Sequence, residues 1–201
     1  DLGSGALIDL SQFGLEREPL IQESMAAGAA VACFSGDKLI GGPQCGVMVG
    51  KHDIIERIKK NPLARAVRIG KMTVAALEAT LRLFLDEQHL CEKHHTYRMF
   101  SLPLEGLRQR AEALAAQVPS AAVVESETEV GSGSVPTQTL PTWAVAVRPQ
   151  GTAPEELARR LRYYDPPIFA RIHKEIVLLD LRTIQPEEDE LVAAALRSVL
   201  Q

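Results

Sequence analysis

Apolar and polar positions along this chain follow two rhythms. In the first fifty residues, short apolar runs stand between glycines. Val31-Ala-Cys-Phe34 and Gly46-Val-Met-Val-Gly50 each predict a short buried strand, with a polar, glycine-rich loop over 35–42 after the first. Residues 19–27 predict a short helix, with Pro19 at its start and Gly28 past its end. From His52 the spacing becomes helical. Ile54, Ile55 and Ile58 mark one face over 52–60, and Asn61-Pro62 stops it. Thr73 is the expected N-cap of a helix over 74–85 with the stripe Leu77, Leu81, Phe84 and Leu85. A long helical segment runs on to about Val118, broken or kinked at Pro103.

The remainder reads as a compact α+β unit. Strand-like patterning covers 121–130 and 143–148, with a loop over 131–136 between them. Residues 155–164 predict a helix opened by Pro154 and two glutamates, which suit the positive end of the helix dipole. Residues 168–172 and 176–181 flank His173-Lys-Glu175 as a hairpin, and 189–200 predict a closing amphipathic helix. The pattern gives an α/β layer over 1–86 and a smaller α+β domain over 87–201.

At 201 residues the chain suits one large domain or two small ones. Hydrophobic residues at 46% and charged residues at 24% exclude wholesale disorder. Twenty-two Lys and Arg against 26 Asp and Glu leave a net charge of -4, so the chain as a whole is not a basic nucleic-acid binder. No apolar run reaches membrane-spanning length, so no membrane partner is expected. Three cysteines (Cys33, Cys45, Cys91) lack metal-type spacing; no metal site is expected, and a reducing cytoplasm is. The opening Asp1-Leu-Gly-Ser-Gly5 reads as the carboxyl end of a strand entering a loop, which makes the chain an expected piece of a longer protein.

The sharpest chemical feature is Phe34-Ser-Gly-Asp-Lys-Leu-Ile-Gly-Gly-Pro-Gln-Cys-Gly46. A lone lysine, Lys38, follows a short strand inside a loop whose glycines let backbone amides approach a ligand. In a partly desolvated site such a lysine becomes available as a Schiff-base nucleophile, and Asp37 beside it could move protons or orient it. From spacing alone, a tight surface turn with a solvated lysine is an equal reading. Residues 56–71 carry six basic side chains and one acid, which reads either as a solvated face or as an anion site.

The run Ser35-Gly-Asp-Lys-Leu-Ile-Gly-Gly-Pro-Gln44, preceded by Asp1-Leu-Gly-Ser-Gly5, resembles the bacterial selenocysteine synthases, the L-seryl-tRNA(Sec) selenium transferases. Pro62-Leu-Ala-Arg-Ala-Val-Arg68, Lys71-Met-Thr73, Leu77-Glu-Ala-Thr-Leu-Arg82 and Leu179-Asp-Leu-Arg-Thr183 extend the likeness over essentially the whole chain, as the carboxyl-terminal portion of that enzyme. The resemblance implies the end of a fold-type I pyridoxal-phosphate large domain with a mostly parallel sheet, then a small α+β domain. It implies pyridoxal phosphate as cofactor, seryl-tRNA(Sec) and selenophosphate as substrates, an aminoacrylyl-tRNA intermediate and a homo-oligomer. Residue by residue, it gives Lys38 the cofactor Schiff base and Asp1 the place beside the pyridine nitrogen. Ser35 takes a contact to the cofactor phosphate, Asp37 proton transfer, and Arg65 with Arg68 the selenium donor. On one helix or turn, two arginines three apart can face one anion.

Other features read as structure. Cys91, His94 and His95 fall on a polar segment expected to be a solvated helix; Asp180 and Arg182 are an expected ion pair or hairpin contact, and Trp143 a core residue. A substrate esterified to tRNA leaves no free carboxylate for Arg171 or Arg182 to grip. Two alternatives stay open: a related pyridoxal-phosphate lyase or transferase acting on a small amino acid, or a non-catalytic module for oligomer contact or tRNA docking.

Overall fold

In the computed structural model, residues 1–131, 135, 137–149 and 151–200 are described. The expected loop over 131–136 therefore lies mostly outside the described residues. The chain divides into two compact units: residues 1–101 with 129–139, and residues 102–128 with 140–201.

In the first unit, helix α1 (Ile21–Ala26) ends at Gly28, whose φ of 96° is the left-handed conformation that glycine adopts at low cost. Strands β1 (Val31–Ser35) and β2 (Gly46–Gly50) pair antiparallel, in a register running from Val31 opposite Gly50 to Ser35 opposite Gly46. The loop 36–45 joins them at one end. Gly3 forms a parallel bridge to Phe34, the parallel pairing of this unit among the described residues. Helices α2 (His52–Lys60), α3 (Pro62–Ala66) and α4 (Lys71–Leu83) follow. Asn61 ends α2 and caps α3, its Oδ1 accepting from the Leu63 amide at 2.9 Å. Helix α4 begins earlier than the cap signal indicates. Gly70, extended at φ -75° and ψ 163°, occupies the N-cap, so Thr73 lies inside the first turn. Leu77, Leu81 and Phe84 pack on a core of Ile21, Phe34 and Ile40, as their stripe predicts, but Leu85 lies past the end of the helix and is exposed. The short helices α5 (Leu90–Lys93) and α6 (His95–Ser101) close the unit. Segment 129–139 reaches it through Gln138, whose Oε1 accepts from the Glu16 amide.

The second unit is a four-stranded sheet with helices on one face. Its strands are β3 (Ala121–Glu129), β4 (Thr139–Val147), β5 (Arg171–His173) and β6 (Ile176–Asp180), in the order β3-β4-β6-β5. The predicted hairpin is present. Lys174 and Glu175, at φ 47° and 62°, make a two-residue turn whose twist matches the antiparallel pair β5-β6. Helices α7 (Leu104–Ala115), α8 (Pro154–Arg162) and α9 (Asp189–Val199) bury Leu107, Leu114, Leu157, Leu161, Val192 and Leu196 against Val145, Val147, Val177 and Leu179. Pro103 sets the start of α7, as its missing amide and fixed φ require. Among the described residues no helix is long and apolar enough to cross a membrane.

Candidate active site

The site is built from two backbone segments held side by side. The Leu2 amide donates to the Cys33 carbonyl at 2.8 Å, Ser35 to Gly3 at 3.1 Å, and Leu39 to Ser4 at 3.3 Å. The chain end bearing Asp1 therefore runs alongside β1 and into the loop bearing Asp37 and Lys38. The Asp1 carboxylate accepts from the Gly3 amide at 2.9 Å, which fixes one of its oxygens. Gly5, at φ 73°, lets this segment pass Phe34; a Cβ there would lie 2.9 Å from the Phe34 ring.

Within the loop, two further bonds fold the chain back on itself. The Gly42 amide donates to Gly36 at 2.8 Å, and Gly41 donates to Lys38 at 2.9 Å. The second closes a turn over 38–41. Leu39 and Ile40 point inward and are fully buried, while Lys38 is half-buried and Asp37 exposed. Among the described residues, the Lys38 amine makes no hydrogen bond or ion pair. The loop thus holds a lysine by its backbone and leaves its nitrogen available. Below it, the buried Cys45 packs on Gly36, where a Cβ would sit 2.5 Å from the sulfur. Burial, and then the Asp37 charge, push the Cys45 thiol up from its ordinary range, so it is a neutral packing group.

Ser35, Asp37 and Lys38 thereby lie on one strand end and its loop, to which the segment bearing Asp1 is hydrogen-bonded. Arg65 and Arg68 are not part of it. Arg65 ends α3, and Val67 leaves helical geometry at φ -96°, ψ 4°, so Arg68 starts the link to α4. Both are exposed, and neither forms an ion pair with another described residue. Arg68 lines a groove of about 560 Å³ with Gly70, Lys71, Val74 and Glu78. Helix α4 links the groove to the lysine loop, since Leu77 lies against Gly36 and Gly42. From Lys71 to Leu77 is roughly 9 Å along the helix axis.

The sequence reading misses one residue here. His94, expected on a solvated helix with Cys91 and His95, is only 4% exposed. It sits at the junction of α5 and α6, and its Nε2 is 2.9 Å from the Ile40 carbonyl. Leu90, His94, Tyr97 and Phe100 recur at helix-like intervals and are all buried, a signal masked by the charged Glu92 and Lys93 between them. The other residues read as structure keep that role. Asp180 accepts from Thr142 at 2.7 Å, Thr128 at 2.6 Å and the Arg182 amide at 3.0 Å, and lies 3.7 Å from Arg171. The Arg182 guanidinium donates to the Leu102 and Pro141 carbonyls. Trp143 flanks the core, with Arg108 5.3 Å over its ring.

A profile of the L-seryl-tRNA selenium transferases matches residues 1–185. The chain belongs to this family. It is 43% identical to the L-seryl-tRNA(Sec) selenium transferase of Alkaliphilus oremlandii (strain OhILAs), over 100% of this chain and 44% of that protein. It is 44% identical to the enzyme of the same name from Geobacter sulfurreducens, over 99% of this chain and 45% of that one. The chain thus spans under half the length of these relatives. Among solved structures it is similar to D-glucosaminate-6-phosphate ammonia-lyase, at a TM-score of 0.55 and 24% identity, over 87% of this chain and 44% of that one. That likeness establishes the shared α/β fold.

The donor set fits a phosphorylated pyridine aldehyde. An unpaired amine (Lys38) suits the aldehyde, a carboxylate (Asp1) a ring nitrogen, and a hydroxyl (Ser35) a phosphate. Among the described residues no three His, Cys, Asp or Glu side chains cluster as metal ligands.

Proposed function

We propose that this chain is the lysine-bearing part of a pyridoxal-phosphate enzyme that converts seryl-tRNA(Sec) to selenocysteyl-tRNA(Sec) with selenophosphate, acting as a homo-oligomer in the cytoplasm. The observation that supports the reading is the backbone ladder joining residues 2–4 to 33–39, which bonds the segment bearing Asp1 to the strand and loop bearing Ser35 and Lys38 in a chain of this family. In the parent enzyme, residues 1–86 end the cofactor-binding large domain and 87–201 form the small carboxyl-terminal domain.

When bound, pyridoxal phosphate supplies an electron-withdrawing ring that stabilises negative charge at the seryl α-carbon. Lys38 would hold the cofactor through its amine, and the same nitrogen, when free, would take the seryl α-proton. Asp1, its carboxylate steadied by the Gly3 amide, would hold the ring nitrogen in its protonated form. Ser35 would donate to the cofactor phosphate. Asp37, exposed beside Lys38, assists protonation of the departing seryl hydroxyl. Arg65 and Arg68 bind the selenophosphate anion, a role suited to two guanidinium groups without carboxylate partners among the described residues.

The test uses the full-length protein. Incubation with pyridoxal phosphate, borohydride reduction and mass mapping should place the label on Lys38 and lose it in Lys38→Ala. Turnover is then measured on seryl-tRNA(Sec) with selenophosphate, against free serine and free cysteine. Absent labelling refutes the cofactor role, and turnover confined to the free amino acids refutes the substrate.

A further inference from the structure

The loop that carries Lys38 is gripped from outside by a residue with no role in the chemistry above. Ile40, two residues past the lysine, presents its carbonyl to the Nε2 of His94 at 2.9 Å. A carbonyl only accepts, so the bond requires the hydrogen on Nε2. The imidazole is clamped in turn. Phe84 and Tyr97 meet it edge-on, with ring centroids at 5.3 and 4.9 Å, and Tyr97 is itself packed by Phe13 and Phe100. Its backbone is fixed as well: the His94 amide donates to Leu90 at 2.8 Å, and its carbonyl accepts from Arg98 at 2.9 Å. The loop lies flush on the ring, since a Cβ on Gly41 would fall 2.5 Å from His94 Cε1.

These contacts serve the lysine turn. The Gly41 amide closes that turn onto the Lys38 carbonyl, so the peptide that His94 holds is the one inside it. Without His94 the buried Ile40 carbonyl loses its donor, a costly state that loop movement would relieve. We propose that His94 is a positioning residue that fixes the backbone of the Lys38 turn, so that the lysine amine projects from one place toward the cofactor. This inference rests on the reading of Lys38 as the cofactor lysine.

Two variants of the full-length protein separate this role from packing. His94→Phe keeps an aromatic ring in the cluster and removes the donor, whereas His94→Gln restores an N–H of similar reach. Backbone amide exchange is read by mass spectrometry without cofactor, and retention of pyridoxal phosphate on Lys38 is read by borohydride trapping. In His94→Phe, exchange over residues 36–44 should quicken about tenfold and cofactor retention fall by a similar factor, as loss of one buried hydrogen bond implies. His94→Gln should recover most of both. A folded His94→Phe protein with unchanged exchange over 36–44, or a His94→Gln protein no better than Phe, overturns the proposal.

Gly41→Ala attacks the contact from the other side and decides the matter if His94→Phe does not fold. Strain at φ 69° alone would loosen only the loop. A methyl driven against the imidazole should also quicken exchange over residues 94–98, and unchanged exchange there counts against the proposal. The exchange arm is independent of cofactor, so a wild-type protein that takes no label on Lys38 refutes the proposed function while leaving the grip of His94 readable.

Discussion

The Ser35 amide donates to the Gly3 carbonyl at 3.1 Å, and that bond locks the segment carrying Asp1 to the strand leading to Lys38. The Leu2 and Leu39 amides extend the same ladder on either side, so the relative placement of the two backbone segments is set by main chain. Side-chain substitutions at Asp1 or Lys38 should therefore leave this framework in place, so any loss of activity reads the role proposed for each side chain.

Asp1→Asn tests this separation. Asparagine keeps an oxygen for the Gly3 amide and loses the negative charge. In the full-length protein we expect unchanged thermal stability, weakened pyridoxal-phosphate retention, and turnover reduced on the order of a hundredfold or more, typical of losing one fixed charge at a reacting centre. Turnover within a few-fold of wild type would remove Asp1 from the site.

Gly36 and Cys45 give a packing prediction at the base of the loop. A methyl on Gly36 would lie 2.5 Å from the Cys45 sulfur and 3.0 Å from the Pro43 carbonyl oxygen. Gly36→Ala should therefore cost about 1–3 kcal/mol, a loss typical of overpacking, and lower the melting temperature by several degrees. Cys45→Ala in the same chain removes the nearer clash and should return part of the loss, leaving a coupling that a double-mutant cycle measures. Strictly additive effects of the two substitutions would show that the sulfur is not the obstacle.

Local signals were legible where the chain itself imposes them. The glycines around Phe34 and Val47 bound two strands, Asn61-Pro62 ends a helix, and Lys174-Glu175 turns a hairpin, each by short-range backbone chemistry. Where two local signals compete, the reading slips. Thr73 is a good cap, but Gly70 is already extended, and the helix starts from it. Where the partner is distant in sequence, no local pattern reports it. His94 meets Ile40 across 54 positions, so the polar residues around it dominated the reading. For the candidate site, the motif points to Lys38 and its neighbours, but it does not show that the chain leaves the helix at Val67, between the two arginines.

That break bears on the proposed anion site. Arg65 belongs to α3 and Arg68 to the link that follows, so the two guanidinium groups hang from different backbone anchors. Replacing either with Ala in the full-length protein should raise KM for selenophosphate roughly tenfold or more, as loss of a charge-assisted hydrogen bond predicts. KM for seryl-tRNA(Sec) should stay unchanged. If the tRNA term rises and the donor term does not, these arginines contact nucleic-acid phosphate and the donor assignment fails.

Acid titration offers a check on the second unit. Glu156 lies in the first turn of α8, 2.7 Å from Arg159 and 3.0 Å from Arg160. Hydrogen bonds from Arg159 and then Arg160 hold its carboxyl down from 4.5 to about 2. A folded-state pKa below the unfolded one means that the ionised group favours the folded chain. That contribution is complete above pH 4.5 and disappears as pH falls toward 2. The group is about one-third exposed to solvent, so salt should weaken the effect. The carboxyl carbon of Glu156, followed by NMR at low salt, should show a midpoint near 2, moving up toward 4.5 in Arg159→Ala and at high salt. Glu156→Gln should flatten the fall in stability between those two pH values. A midpoint already at the ordinary carboxylate value would mean that the two arginines do not hold Glu156 in solution.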